Sequence, residues 1–344
     1  MRKLFAKTLV AASVAGTAFA VQAQEVTLKV HHFLSPTTII QTGMFGPWCE
    51  KLAKESANKL KCQIYPAMQL GGSPAQLYDQ AKDGVADVTW VPSGYAGNRF
   101  STLSVFELPF MMTNADATSR ALWEYYNIYA KDMFKDVHML GLHVHGPGVV
   151  FTSKKQISTT ADFKGLKMRG PTPTVTALLA KMGATPVGMP VTGVAEALSK
   201  GVVDGAVIPY QVAPSVKVTE IAKFAAETDP QFNALYTTVF LITMNKAKYD
   251  SLPPDLKKVL DANSGLEFSA FMGRTQAADD TVGRKIAVDA GMKINMIPAA
   301  ELANWKKATD EQDDEWVASQ VKAGRDGKKM LQTAQDLIKK HTKK

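Results

Sequence analysis

The stretch Gly165–Thr172 reads GLKMRGPT, and it is the point from which the second half of the chain can be interpreted. An extended, apolar run ends at Arg169 and breaks into a Gly-Pro turn, a pattern typical of a strand end. The guanidinium stays protonated at physiological pH, and its planar fork matches a carboxylate with two parallel hydrogen bonds. One arginine in a closed cleft can therefore orient an organic acid. The alternative is that Arg169 forms a structural ion pair with a nearby acidic residue.

Strands and helices alternate on both sides of this stretch. Val26–Phe33 and Val137–Val144 are predicted strands of a first series, and Leu166–Arg169 begins a second series. The alternation predicts an α/β fold with mainly parallel sheets, and 344 residues are enough for two lobes. Tyr236–Met244 is predicted as a strand that crosses between the lobes, and Pro254–Ala290 as one long interdomain helix.

The N-terminus has the features of a secretory signal peptide. Three basic residues among the first seven precede an uncharged run rich in Ala, Val and Leu. Cleavage is predicted after Ala20 or Ala23, and residues 1–23 are the preferred signal peptide. No later segment offers the roughly 20 consecutive apolar residues of a transmembrane helix. We therefore expect a protein that is exported to the periplasm and does not itself span the membrane.

Charge and motif content exclude several classes of function. Removing residues 1–23 takes away three basic residues and lowers the formal charge from +8 to +5. Basic patches interleaved with aromatic residues are not evident, so no nucleic-acid partner is expected. The sequence contains no G-x-S-x-G elbow, no H-E-x-x-H motif and no Gly-rich phosphate loop. No cofactor is predicted.

The two cysteines, Cys49 and Cys62, would both enter an oxidising compartment, where a disulfide is the default expectation. Cys49 lies on the apolar face of a predicted helix, and Cys62 lies on one side of the strand that follows. Both side chains could thus face one helix–sheet interface. The alternative is two separate buried thiols. Neither reading makes the cysteines catalytic.

Six short motifs follow one another along the chain: YPAMQLGG (65–72), DGVADV (83–88), FELPF (106–110), GLKMR (165–169), EALSKGVVDG (196–205) and MN (244–245). Together they resemble the periplasmic substrate-binding proteins of TRAP transporters, in particular the C4-dicarboxylate-binding type. The resemblance implies a two-lobe, periplasmic-binding-protein-like architecture with mixed sheets flanked by helices. The expected lobe I comprises residues 24–146 and 236–275, and the expected lobe II comprises residues 147–235 and 276–344.

The same resemblance implies a function and a site. A small organic acid would bind between the lobes and be delivered to the TRAP membrane permease by a monomeric receptor. The family's carboxylate-binding arginine maps onto Arg169, and a further polar ligand contact maps onto Thr172. Aromatic and polar side chains near strand ends are further candidates for the cavity wall, namely Trp90, Tyr95, Phe151, Tyr210, Gln211, Phe232 and Tyr236. For Phe232 and Tyr236, a plain core position is expected at least as much as a place in the cavity wall.

Two positions depart from relatives that bind sialic acid. The resemblance places a second arginine where this chain has Val149, and an asparagine where it has Ile208. A ligand rich in hydroxyl groups would leave hydrogen-bonding groups unpaired against these side chains, at about 1–3 kcal/mol for each. The expected ligand is therefore a less polar acid, either a medium-chain dicarboxylic acid or an aromatic acid.

Two histidine pairs require a separate interpretation, because His31-His32 and His143-x-His145 both lie on predicted strands. Two histidines could begin a zinc site, so the alternative function is a secreted hydrolase with a His-based metal site. No nearby Cys, Asp or Glu completes a recognisable ligand spacing, so no metal is predicted. We expect His32 or His145 to hydrogen-bond the ligand, with plain structural roles as the alternative, and the protein to be a receptor and not an enzyme.

Overall fold

A computed structural model describes residues 25–343 of the chain. The predicted signal peptide lies outside the described residues. Within the described part, the structure has no helix whose length and apolar character would allow it to cross a bilayer.

The described residues form eleven strands: β1 (Val26–His31), β2 (Leu60–Tyr65), β3 (Val88–Pro92), β4 (Val137–Val144), β5 (Val149–Thr152), β6 (Lys167–Gly170), β7 (Thr185–Gly188), β8 (Gly205–Ile208), β9 (Phe224–Thr228), β10 (Val239–Asn245) and β11 (Lys293–Ile297). They build two sheets. The first sheet has the order β2-β1-β3-β10-β4, and the second sheet has the order β11-β9-β5-β8-β6-β7.

Both sheets are mixed, as the family resemblance implies, and the α/β fold class is confirmed. Five of the nine strand pairings are parallel, in line with the expectation of mainly parallel strands, and one strand in each sheet departs from it. Strand β10 runs antiparallel to β3 and β4, and β5 runs antiparallel to β8 and β9. These two strands arrive from the other sheet and enter at the edge where their neighbours β3 and β8 end, so they must run in the opposite direction.

Helices cover the sheets: α1 (Gly46–Glu55), α2 (Leu77–Lys82), α3 (Ala115–Tyr125), α4 (Pro173–Lys181), α5 (Val194–Ser199), α6 (Val218–Ile221), α7 (Lys246–Ser251), α8 (Pro254–Ala262), α9 (Leu266–Ala278), α10 (Asp280–Asp289), α11 (Ala299–Thr309), α12 (Glu311–Lys322) and α13 (Gly327–Thr342). Helix α4 shows why its residues become helical. Thr172 accepts a hydrogen bond from the Val175 N–H as the N-cap, and Pro173 occupies the first turn, where its missing N–H costs nothing.

The single long helix predicted over Pro254–Ala290 is wrong, because the segment is divided into α8, α9 and α10. The break before α9 lies at Gly265, whose φ of 82° is readily reached only by glycine. Its N–H bonds to the carbonyl of Leu140 in β4 instead of continuing a helix. Helices α9 and α10 are separated by Asp279 alone. Helix α9 packs on the first sheet, and Arg284 of α10 bonds Glu227 of the second, so this pair provides the connection expected of the long helix.

The lobe boundaries remain a prediction. The segment between β4 and β5 and the segment between β9 and β10 connect the two sheets, which is consistent with chain crossings near residues 146 and 235. The C-terminal helix α13, in contrast, packs on α3 beside the first sheet, and both Lys340 and His341 bond to Glu124.

Cys49 of α1 and Cys62 of β2 form a disulfide with a Cα–Cα distance of 5.6 Å. Helix α1 packs directly on β2, so the bond joins a helix to the sheet beneath it. It lies at the outer edge of the first sheet, where β2 is the terminal strand. This position gives it a structural role.

Candidate functional site

Strand ends from both sheets face one another and enclose a cavity. Strand β3 ends at Pro92 in the first sheet, and β6 and β8 end at Gly170 and Ile208 in the second. The carboxyl ends of such strands are where α/β folds collect ligand contacts. We call this space the Arg169 cavity, and its walls include Phe33, Trp90, Tyr95, His145, Arg169, Val191, Val207, Ile208, Tyr236, Thr238, Phe240 and Gln276.

Arg169 is held rigidly at the end of β6 and is only 1% exposed. Its Nε donates to the carbonyl of Met189 at 2.9 Å, and its Nη1 donates to the carbonyl of Val207 at 3.0 Å. These two bonds fix the plane of the guanidinium. Its Nη2 has no hydrogen-bond partner among residues 25–343.

The charge of Arg169 is not neutralised by any carboxylate in the described part of the chain, so the structural ion pair considered above is not observed. Burial lowers the pKa of the guanidinium from its usual range, yet arginine stays protonated at neutral pH. A buried charge without a counter-ion is unfavourable. The site therefore favours an anion that can reach Nη2.

Two tyrosines near Arg169 add hydrogen-bond donors. The Tyr236 hydroxyl is buried without a partner among the described residues, and burial raises its pKa. The Tyr95 hydroxyl accepts the N–H of Val191 at 2.8 Å, and burial raises its pKa as well. Both hydroxyls therefore keep a proton that can be donated to an anion beside Arg169.

The opposite wall is an aromatic stack. The Trp90 indole lies between Phe33 and Phe240, with ring centroids 4.9 and 4.6 Å apart and rings within 12° of parallel. Its Nε1 donates to Nε2 of His143 at 2.8 Å, so the one polar atom of the indole is already satisfied. This wall offers flat apolar surface and no charge.

His143 of β4 and His145, just after the strand, are uncharged at neutral pH. Burial lowers the pKa of His143 to about 3 and the pKa of His145 to about 4. His145 lines the cavity, and its Nδ1 lies 2.5 Å from the carbonyl of Gly146, so Nδ1 carries the proton and Nε2 is an acceptor. No group of three or more His, Cys, Asp or Glu side chains that could hold a metal ion occurs within residues 25–343.

Five of the ten ligand-binding residues predicted from the sequence line this cavity, namely Trp90, Tyr95, His145, Arg169 and Tyr236. Thr172 does not. Besides capping α4, its Oγ1 donates to the carboxylate of Glu107 at 2.7 Å. Glu107 is fully buried and also accepts the N–H of Val239 at 2.9 Å. Burial raises the pKa of Glu107 to about 7.

The other predicted residues also lie outside the cavity wall. His32 is buried and stacks on Phe45, and the ring of Phe151 packs edge-on against Tyr210. The hydroxyl of Tyr210 donates to Glu227 at 2.6 Å. Gln211 does not line the cavity but contacts a residue that does, because its Oε1 accepts a hydrogen bond from the wall residue Gln276. Phe232 is 39% exposed. Any direct contact of these residues with a ligand remains a prediction.

The two departures from the sialic-acid-binding pattern are neighbours in the fold. Val149 of β5 and Ile208 of β8 are paired in register, and both are buried. Ile208 lines the cavity. An apolar pair thus stands where the resemblance places an arginine and an asparagine.

Sequence reasoning missed several wall residues. Phe33 and Phe240 follow or begin strands next to β3, and their position at a strand end was an available signal. Gln276 lies in the last turn of α9, where nothing local distinguishes it from a surface glutamine. Only the packing of α9 brings it to the cavity.

Residues 30–320 match the family model described as bacterial extracellular solute-binding protein, family 7, also called DctP. This span includes all the wall residues named above. It also includes most of both sheets.

Three solved structures are similar over 92% of this chain and 99% of their own chains. A TRAP solute binding protein from Rhodoferax ferrireducens T118, in complex with copurified benzoate, is 52% identical with a TM-score of 0.91. A marine metagenome protein from an unidentified microbe, specific for aromatic acid ligands and co-crystallized with 3-hydroxybenzoate, is 45% identical with a TM-score of 0.90. A protein from Bordetella bronchiseptica with bound (R)- and (S)-mandelate is 28% identical with a TM-score of 0.84.

Proposed function

Because this chain belongs to the bacterial extracellular solute-binding proteins of family 7 and is a receptor of the TRAP type, we propose that its ligand is an aromatic monocarboxylate. One observation carries the proposal. The guanidinium of Arg169 is buried, is oriented by two carbonyls and lacks a counter-ion among the described residues. A ligand carboxylate would supply that missing charge.

The charge of the cavity supports one carboxylate and not two. Among the wall residues that the structure describes, Arg169 is the only cation, because burial holds His145 neutral. A second carboxylate would lie in the cavity without compensation, which is costly in a buried site. This disfavours the medium-chain dicarboxylic acids that the sequence left open.

The walls support an aromatic body for the ligand. Trp90 and Phe240 present parallel rings, and Ile208 and Val207 add apolar surface from the other sheet. Such walls suit a flat apolar group. The two relatives of highest identity described above bind benzoate and 3-hydroxybenzoate.

In the same proposal, the protein is exported to the periplasm by residues 1–23, acts as a monomer, closes over the acid and delivers it unchanged to the membrane permease of a TRAP transporter. The hydrolase alternative gains no support from the family. One of the histidines that would begin its metal site is otherwise engaged, because Nε2 of His143 accepts a hydrogen bond from Trp90.

Calorimetry on the mature protein tests this proposal. The protein is first unfolded and refolded to strip any acid carried from the cells, and is then titrated with benzoate, 3-hydroxybenzoate, mandelate, succinate and a sugar acid. We expect stoichiometric binding of the aromatic acids and much weaker binding of succinate and the sugar acid. Benzamide is the control, because it keeps the ring but removes the negative charge.

Preference for succinate or the sugar acid would contradict the proposed ligand class. Equal affinity for benzoate and benzamide would show that Arg169 does not distinguish a charged ligand from a neutral one. Loss of the bound acid on incubation, followed by nuclear magnetic resonance, would contradict a receptor and favour an enzyme.

A further inference from the structure

A buried amide faces the cavity from an unexpected direction. Gln276 lies in the last turn of α9, is 2% exposed and lines the Arg169 cavity. Its Nε2 donates to Oε1 of Gln211 at 3.0 Å. Its Oε1 has no hydrogen-bond partner within residues 25–343. A buried amide oxygen without a donor is unfavourable, so a ligand donor at this point would be stabilising.

The position of this amide is supported by a second layer of contacts. The backbone N–H of Gln211 donates to the Asp280 carboxylate at 2.8 Å, which ties the segment after β8 to the start of α10. Gln211 is itself buried, and its Oε1 accepts the hydrogen bond from Nε2 of Gln276. Gln276 is therefore held in place before any ligand arrives.

Oε1 of Gln276 differs in chemistry from the groups that would bind the ligand carboxylate. Arg169 and the hydroxyls of Tyr95 and Tyr236 are donors and suit a carboxylate. The Oε1 of Gln276 is an acceptor, and a carboxylate oxygen placed against it would be repelled. The amide must therefore face a different part of the ligand, and that part must carry a donor.

We propose that Gln276 is a specificity-determining residue that accepts a hydrogen bond from a hydroxyl group on the ligand ring, so that the preferred ligands are hydroxylated aromatic monocarboxylates. This inference rests on the proposed function. Gln276 would make the second polar contact with an aromatic acid in the cavity, apart from the contacts at the carboxylate.

The test compares ligands of equal shape with and without a donor. The mature protein is titrated with benzoate, with 3- and 4-hydroxybenzoate, and with 3- and 4-methylbenzoate, in which a methyl group replaces the hydroxyl. We expect at least one hydroxybenzoate to bind about tenfold more tightly than the matching methylbenzoate, the effect of one buried neutral hydrogen bond. In Gln276→Leu, this ratio should fall to about one.

Gln312→Leu is the matched control. Gln312 is also buried, donates through Nε2 to the Thr174 carbonyl at 2.7 Å and has an Oε1 without a partner in the described chain, but it lies outside the cavity. This variant should keep the hydroxyl preference. Melting curves by circular dichroism check that the variants fold, and Gln276→Met replaces the leucine variant if that variant does not.

Several outcomes would overturn the inference while leaving the proposed function in place. The wild-type protein could bind benzoate without preferring any hydroxybenzoate, or the preference could survive in Gln276→Leu. Thr238 is the competing position, because its hydroxyl also lines the cavity without a partner among the described residues. Loss of the preference in Thr238→Val, with retention in Gln276→Leu, would assign the role to Thr238. Failure of every benzoate derivative to bind would instead reject the proposed function, and the inference with it.

Discussion

The two sides of the Arg169 cavity are built differently. On the side of the first sheet, Trp90 is packed between two phenylalanines, and its only polar atom bonds His143. On the side of the second sheet, Arg169 projects from a strand end with Nη2 unpaired among the described residues. One side provides shape and the other provides charge. A ligand gains the full interaction only when both sides touch it, which is a thermodynamic reason for the lobes to close around it.

Direct contacts already join the two sides. Glu107, from a short helix that follows β3, accepts a hydrogen bond from Thr172 at the start of α4. The hydroxyl of Tyr95 accepts the N–H of Val191. Both contacts lie beside the cavity and not at a distant hinge. Tyr95 and Val191 both line the cavity, so their contact joins the two sides at the site itself.

The largest expected effect on ligand affinity comes from replacing Arg169, on the charged side of the cavity. Arg169→Lys keeps the positive charge but cannot donate to Met189 and Val207 while also reaching a carboxylate. We expect affinity for the best aromatic acid to fall about 100-fold, which corresponds to the loss of a charge-assisted hydrogen bond worth about 3 kcal/mol. Calorimetry measures the change.

Arg284→Lys is the matched control, because it makes the same chemical change at a surface arginine that pairs with Glu227 outside the cavity. It should bind the acid as the wild type does. Near-native affinity of a folded Arg169→Lys variant would show that the arginine is only structural. Val149→Ala, at the position that departs from the sialic-acid pattern, should matter less than Arg169→Lys.

The second effect concerns the contact between the sides. Burial raises the pKa of Glu107 from 4.5 to about 7, so the folded protein holds this proton more tightly than the unfolded chain does. The contribution of Glu107 to stability is therefore present at low pH and is lost as pH rises through about 7. Relative to Glu107→Gln, the wild type should lose about 2 kcal/mol of unfolding free energy between about pH 5 and about pH 7.

Chemical denaturation at several pH values tests this sign. Asp162→Asn is the control, because a hydrogen bond from Lys155 lowers the pKa of Asp162 to about 2 and keeps it ionised throughout that range. Its difference from the wild type should stay flat. A wild type that gains stability over Glu107→Gln as pH rises would mean that Glu107 is ionised in the folded state and is stabilised as a charge.

The features that sequence predicts well here are local. The strand Val137–Val144 is found with the predicted bounds, and Arg169 lies at the strand end where the Gly-Pro turn placed it. The break at Gly265 was also local in origin. The Ser-Gly pair at 264–265 is a turn signal, which the prediction of one continuous helix overlooked.

The features that sequence misses depend on packing between distant segments. Gln276 reaches the cavity only because α9 crosses beside β4. Thr172 looks like a free polar residue after a strand, yet its hydroxyl is occupied by Glu107, 65 residues earlier in the chain. Neither contact leaves a periodic or spacing signal in one sequence, since each arises from a close approach between separately folded elements.

The smallest expected effect comes from a single methyl group placed between the two sides. A Cβ added at Gly94 would lie 2.4 Å from the Cβ of Thr172, a branch point that no side-chain rotation can move away. Gly94→Ala should therefore oppose closure and weaken aromatic acid binding about tenfold, within the usual cost of overpacking. Gly188→Ala is the matched control, because a Cβ there meets nothing closer than 3.8 Å and the residue lies at the same cleft mouth.

Small-angle scattering should show a smaller radius of gyration with saturating benzoate for the wild type and Gly188→Ala, and a weaker change for Gly94→Ala. Equal affinity and equal compaction in all three proteins would mean that Gly94 and Thr172 do not come into contact in solution. The difference between the aromatic side and the charged side of the cavity would then not depend on this contact.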